Sequence, residues 1–177
     1  MTDAASIAGV VLAGGASSRF GRDKAEEIYA GRKLIDWSIA ALTPFCGAVF
    51  VSGHAHATRE SVPDLPRAGL GPLGGLAGAL TAARDAGYER LLSLPCDTPL
   101  LPEGLLDRLC RAGGAAFALS CPVIGIWPSI DADRLATWLE EDRPRAVRAW
   151  AETIGAQAIE TAAIININRV ADFVRLG

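Results

Sequence analysis

The sequence predicts a three-layer α/β sandwich built around a mostly parallel sheet. Three observations predict it. Short apolar runs that read as buried strands alternate with segments whose apolar residues recur at helical spacing. The polar motifs, at 13–24, 52–53, 71–75, 95–99 and 166–168, fall at or just past the ends of those runs, where sheets of this class gather their ligands. The 177 residues carry no internal repeat, low-complexity tract or linker, so one domain over 1–177 is expected.

Taken in order, Ile7 to Val11 reads as a buried strand that stops at Gly14-Gly15. Leu34, Ile35, Ile39 and Leu42, with Trp37 beside them, recur as a helix face that Pro44 closes. Ala48 to Val51 is a second strand, ending at Ser52-Gly53. Residues 54–70 read as loop, punctuated by Pro63, Pro66 and Gly69 with Asp64 between the prolines. Gly71-Pro72-Leu73-Gly74-Gly75 opens a helix faced by Leu76, Leu80 and Ala83. Leu91 to Leu94 is a strand that stops at Pro95-Cys96-Asp97-Thr98-Pro99. A helix follows from about Pro102, a residue suited to the first turn because its missing N–H costs little there. Ala115 to Leu119 and Val123 to Trp127 are expected strands, and Leu135 to Leu139 and Val147 to Ile154 expected helices. Ala163 to Asn168 reads as a late strand and Val170 to Leu176 as a closing helix.

Composition excludes several classes. Half the residues are hydrophobic and 21% charged, as in ordinary globular domains. A net charge of −3 lacks the basic footprint of nucleic-acid binding. No apolar run is long enough to span a bilayer, and Met1-Thr2-Asp3 lacks the basic start of a secretion signal, so a cytoplasmic protein without membrane partners is expected. Cys46, Cys96, Cys110 and Cys121 form no C-x-x-C pair and are expected as free, mostly core thiols. His54 and His56 lack a third ligand nearby in sequence and are expected as loop residues rather than a metal pair.

The chemistry concentrates in Leu12-Ala13-Gly14-Gly15-Ala16-Ser17-Ser18-Arg19-Phe20-Gly21-Arg22-Asp23-Lys24. A glycine pair frees the backbone and clears side chains from a ligand's path. Consecutive N–H groups can then line an anion-binding concavity, with Arg19 and Lys24 adding positive charge. Neither the G-x-G-x-x-G spacing nor a Gly-Lys-Ser/Thr ending is present, so this is a phosphate loop of another kind, the alternative being a plain surface turn.

Asp97, held between Pro95 and Pro99 at a strand end, suits Mg²⁺, which binds through one or two carboxylates plus substrate phosphates. The alternative is a helix cap or turn aspartate. Asn166 and Asn168 alternate, so on a strand they share one face, where their carbonyl oxygens complete a metal or substrate site; a turn before the last helix is the alternative. Together these features point to phosphoryl or nucleotidyl transfer, catalysed by positioning and charge neutralisation.

Leu12-Ala13-Gly14-Gly15-x-Ser17-x-Arg19-Phe20-Gly21-x-Asp23-Lys24, Gly71-Pro72-Leu73, Pro95-Cys96-Asp97-Thr98-Pro99 and Asn166-x-Asn168 together resemble the molybdenum cofactor guanylyltransferases. The motifs follow the family's order over nearly the whole chain. The resemblance implies a Rossmann-like nucleotide-diphospho-sugar transferase fold and attack by the terminal phosphate of molybdopterin on the α-phosphorus of GTP. It implies that Leu12, Ala13, Gly14 and Gly15 contact guanine and phosphate, that Arg19 and Lys24 hold the triphosphate, and that Asp97 binds Mg²⁺ and nucleotide. Ser52, Asp64 and Gly71 take nucleotide-binding positions, and Asn166 and Asn168 lie on the acceptor side. Molybdoenzyme-maturation proteins are implied as partners.

Three departures stand out. Ser52 replaces a frequent asparagine; Glu26 and Glu27 replace apolar residues; and the short segment before Pro122 lacks a usual histidine. They keep two alternatives open: a nucleotidyltransferase using CTP or another phosphorylated acceptor, and a non-catalytic nucleotide-binding paralogue.

Overall fold

A computed structural model describes residues 4–14, 23–141 and 143–167. Its strands are β1 (Ile7–Leu12), β2 (Ile28–Tyr29), β3 (Arg32–Lys33), β4 (Ala48–Ser52), β5 (Ser61–Val62), β6 (Arg90–Pro95), β7 (Ala116–Ala118), β8 (Cys121–Pro128) and β9 (Gln157–Ile159). Its helices are α1 (Leu34–Leu42), α2 (Pro72–Asp85), α3 (Leu105–Arg111), α4 (Ala132–Glu140) and α5 (Val147–Thr153). Seven strands form one sheet in the order β5-β4-β1-β6-β8-β7-β9, and β2 and β3 pair as a separate hairpin.

The chain leaves β1 for β4 on one side and later returns to add β6 on the other, both parallel to β1. The carboxyl ends of β1, β4 and β6 therefore flank a topological switch point, the crevice where open α/β sheets bind ligands. β8 is the exception in the sheet's interior. Only Leu119 and Ser120 join it to β7, a connection too short for a parallel crossover, so β8 runs antiparallel to both β7 and β6.

Alternation along each strand sends successive side chains to opposite faces. Ile7, Val11, Val49, Val51, Leu92 and Leu94 pack with α1 and α3, while Ala8, Val10, Phe50 and Leu91 pack with α2, α4 and α5. Three layers result, as expected. Ser93 is fully buried among the core strands, and its hydroxyl donates to the Val123 carbonyl at 2.6 Å and accepts the Trp127 indole N–H at 2.8 Å. A buried hydroxyl without such partners would be costly.

The structure corrects four local expectations. The 54–70 loop contains β5, an edge strand of two residues pairing with β4. Residues 157–159 form β9 and residues 28–33 the hairpin, none of which the apolar pattern announced. Residues 163–167 are irregular rather than a late strand, because β9 already occupies the open edge of β7. The expected closing helix, Val170 to Leu176, lies outside the described residues. Among the described residues no helix is long and apolar enough to cross a membrane.

Candidate active site

The floor of the crevice is the joined ends of β1 and β4. The Ala13 N–H donates to the Ser52 carbonyl at 2.9 Å, continuing the parallel ladder past Leu12. One residue on, Gly14 and Gly53 meet backbone to backbone. A Cβ on Gly53 would stand 2.2 Å from the Gly14 Cα, and Gly53 itself has a φ of +79°, so both sterics and backbone conformation require glycine there. Gly53 was not among the expected site residues, although a glycine directly after an apolar strand signalled it.

Beside this floor, the Ser52 hydroxyl donates to Asp64 Oδ1 at 3.1 Å. The first turns of α2 press onto that pair. A Cβ on Gly75 would lie 2.5 Å from Ser52 Oγ, and one on Gly78 would lie 1.8 Å from the Pro63 carbonyl oxygen. The Leu65 N–H also donates to the Gly74 carbonyl at 3.0 Å, stitching the Asp64 segment to α2. Gly71, at φ +69°, turns the chain into α2, with Pro72 at the first helical position. The expected nucleotide-side residues Leu12, Ala13, Gly14, Ser52, Asp64 and Gly71 thus lie at or just past the ends of β1, β4 and β5 and at the start of α2.

Opposite them stands an ion pair spanning 73 positions: Lys24 Nζ donates to Asp97 Oδ2 at 2.8 Å. Lys24 sits on a short 3₁₀ turn, Lys24–Glu26, capped by Asp23, whose side chain accepts from the Ala25 N–H. Asp97 follows β6, and that strand end is pinned by bonds from Ser38 Oγ and Thr98 Oγ1 to the Pro95 carbonyl. The Cys96 N–H meets the Leu12 carbonyl at 3.2 Å, tying the β6 and β1 ends together.

Asp97 Oδ1 is buried with no hydrogen-bond partner, and so is Asn166 Oδ1. The Ile167 N–H donates to the Asp97 main-chain carbonyl at 2.8 Å, which brings Asn166 to the site without the expected strand. Two buried oxygen acceptors without donors suit a hard cation such as Mg²⁺, which takes its remaining ligands from phosphate and water. No group of three His, Cys, Asp or Glu side chains gathers for a metal among the described residues. Gly15, Arg19 and Asn168 lie outside the described residues.

Both histidines are loop residues, as expected, and each meets carboxylates: His54 bridges Asp23 and Glu26, and His56 meets Asp36. The four cysteines are free thiols. Burial pushes the Cys46 and Cys96 thiols up to about 12 and Cys110 to about 11, and it raises Cys121 as well. Alkylation at about pH 8, where ordinary cysteines near 8.5 react readily, is expected to label none of the four in the native protein and all four in denaturant; native labelling faster than a tenth of the denatured rate refutes this. Because the folded values lie above the unfolded ones, the thiols' contribution to stability is complete below about 9 and is lost as pH rises toward about 12.

Residues 9–158 match the family model for the MobA-like NTP transferase domain. The chain is 37% identical over 176 residues to a molybdenum cofactor guanylyltransferase of Acidiphilium cryptum, covering 92% of this chain and 90% of that one. It is 36% identical to the Rhizobium meliloti protein of the same name, over 80% and 72% of the two chains. Among solved structures, molybdopterin-guanine dinucleotide biosynthesis protein A of Archaeoglobus fulgidus superposes with a TM-score of 0.74 at 21% identity over 95% of both chains. The 2-C-methyl-D-erythritol 4-phosphate cytidylyltransferase of Thermus thermophilus does so at 0.68 and 16% identity, over 94% and 95%. The last two show a shared nucleotidyltransferase fold.

Proposed function

This chain belongs to the MobA-like NTP transferase family, and from that premise we propose that its strand-end crevice transfers GMP from GTP to the terminal phosphate of molybdopterin. The products are the guanine dinucleotide cofactor and pyrophosphate. The observation that carries this reading is the Lys24–Asp97 pair at the switch point, with Asp97 Oδ1 buried and unsatisfied beside it.

Each residue's part follows from its chemistry. Gly14 and Gly53 keep the floor flat, so that nucleotide and phosphate approach the backbone closely. Ser52 holds Asp64 through one carboxylate oxygen, leaving the other as a pure acceptor. Guanine's Watson–Crick edge offers an N1–H and an amino group to such an acceptor, whereas cytosine and adenine offer only one amino group. Lys24, joined by Arg19, neutralises charge that develops on the departing pyrophosphate. Asp97 and Asn166 would hold Mg²⁺, with Asn168 on the acceptor side, and the ion would supply charge neutralisation at the phosphates.

The attacking group needs no general base. A phosphate monoester with a second pKa near ~6 is largely deprotonated at neutral pH. Both histidines are engaged with carboxylates, which accords with that account. The product then passes to proteins that mature molybdoenzymes.

The test is pyrophosphate release from protein, Mg²⁺, molybdopterin and GTP, with CTP and ATP in parallel and binding of each nucleotide followed by calorimetry. Release with GTP at least tenfold above CTP is expected. Release favouring CTP, or GTP binding without turnover, overturns the reading in favour of a cytidylyltransferase or a non-catalytic binder respectively.

A further inference from the structure

We propose that His54 is a positioning residue for Lys24, acting as a doubly donating imidazolium that clamps the Lys24 turn to the loop after β4. This rests on the transfer reaction proposed above and adds a residue that its motifs do not contain.

The geometry is specific. His54 lies two residues beyond the end of β4, next to Gly53 in the crevice floor. Its Nδ1 stands 2.8 Å from Asp23 Oδ2 and its Nε2 stands 3.0 Å from Glu26 Oε1. Ionised carboxylates accept hydrogen bonds and never donate them, so both ring nitrogens must carry a proton to make both contacts. The ring is well covered, with its side chain 13% exposed. Asp23 immediately precedes Lys24 and caps its turn; Glu26 ends that turn. One ring therefore grips the residues on both sides of the lysine, whose Nζ must reach Asp97.

The clamp also answers a charge problem. Asp23 and Glu26 put two negative charges beside a crevice that receives a polyphosphate. Among the described residues, the charged groups that meet the ring are these two carboxylates, and Lys33 of β3 pairs with the other oxygen of Glu26. The hydrogen bond from Lys33, followed by the charges of Lys33 and His54, holds the Glu26 carboxyl below the usual range, so it stays an acceptor. One imidazolium and one ammonium then offset both acids.

The test compares kcat, KM and the folded fraction of wild type, His54→Gln, Glu26→Gln and His56→Gln at about pH 7. Glutamine fills similar space but brings one donor end and no charge. His54→Gln is expected to lower kcat per folded molecule about tenfold, because small misplacement of a catalytic group is costly, with a smaller change in KM for GTP. A role confined to fold stability would lower the folded fraction and leave kcat per folded molecule unchanged.

Glu26→Gln, on the exposed side of the clamp, leaves the ring untouched and should lower kcat with little change in KM even if the His54 variant folds poorly. His56→Gln should track wild type. An unchanged kcat per folded molecule in both clamp variants overturns the proposal. Absence of pyrophosphate release by wild type would instead defeat the transfer reading, so the two failures are told apart.

Discussion

Asp97→Ala is expected to reduce kcat by about a thousandfold or more while leaving the protein folded, the scale associated with losing a preorganised charge at a developing oxyanion. The carboxylate has two occupations: Oδ2 receives Lys24 at 2.8 Å, and Oδ1 is buried without a donor. An oxygen that folding leaves unsatisfied is not there for stability, because each such group lowers it. The side chain closes no core gap, so Tm should fall by no more than about 4 °C. Lys24→Ala should cost roughly 2–4 kcal/mol in kcat/KM. The two together should cost less than the sum, since each removes the other's partner. Steady-state kinetics on the three variants, with thermal melts, measures all of this. Asp97→Ala turnover within tenfold of wild type would remove Asp97 from the metal and leaving-group chemistry.

Gly78→Ala carries the largest expected effect on stability. A Cβ there would lie 1.8 Å from the Pro63 carbonyl oxygen, a backbone atom with no rotamer to yield, so α2 must lift from the 62–65 segment. Overpacking of this kind costs about 3 kcal/mol. At this chain length that lowers Tm by about 6–12 °C. Because Asp64 and Ser52 lie under the same helix face, GTP affinity should fall with stability. Gly113→Ala is the matched control: nothing lies within 4 Å of its Cβ, and Tm should barely move. Equal melting temperatures for the two variants would show that α2 does not pack as closely as the geometry states.

Much of this organisation is legible in the sequence. β1, β4 and β6 are apolar runs closed by Gly-Gly, Ser-Gly and Pro-Cys-Asp, and both signals are local. β5 and β9, with two and three residues, are too short to show a period, and their pairing is supplied by β4 and β7. The Ala163-Ile164-Ile165 run misleads for the opposite reason. It is apolar enough for a strand, yet Ile165 is 37% exposed, because β9 has already taken the edge of β7 and the chain instead crosses to Asp97, where Ile167 is buried and its N–H meets the Asp97 carbonyl.

What the sequence by itself determined is the chemistry available: a glycine-rich strand end, a lysine, a strand-end aspartate and an asparagine, each at the close of a buried run. Only the tertiary structure decided which of these meet. It joined Lys24 to Asp97 across 73 positions, turned Ser52 onto Asp64, and set His54 between Asp23 and Glu26. The reason is register. Parallel pairing of β1 with β4 and β6 brings their carboxyl ends level, and contacts between residues far apart in sequence depend on that alignment rather than on local pattern.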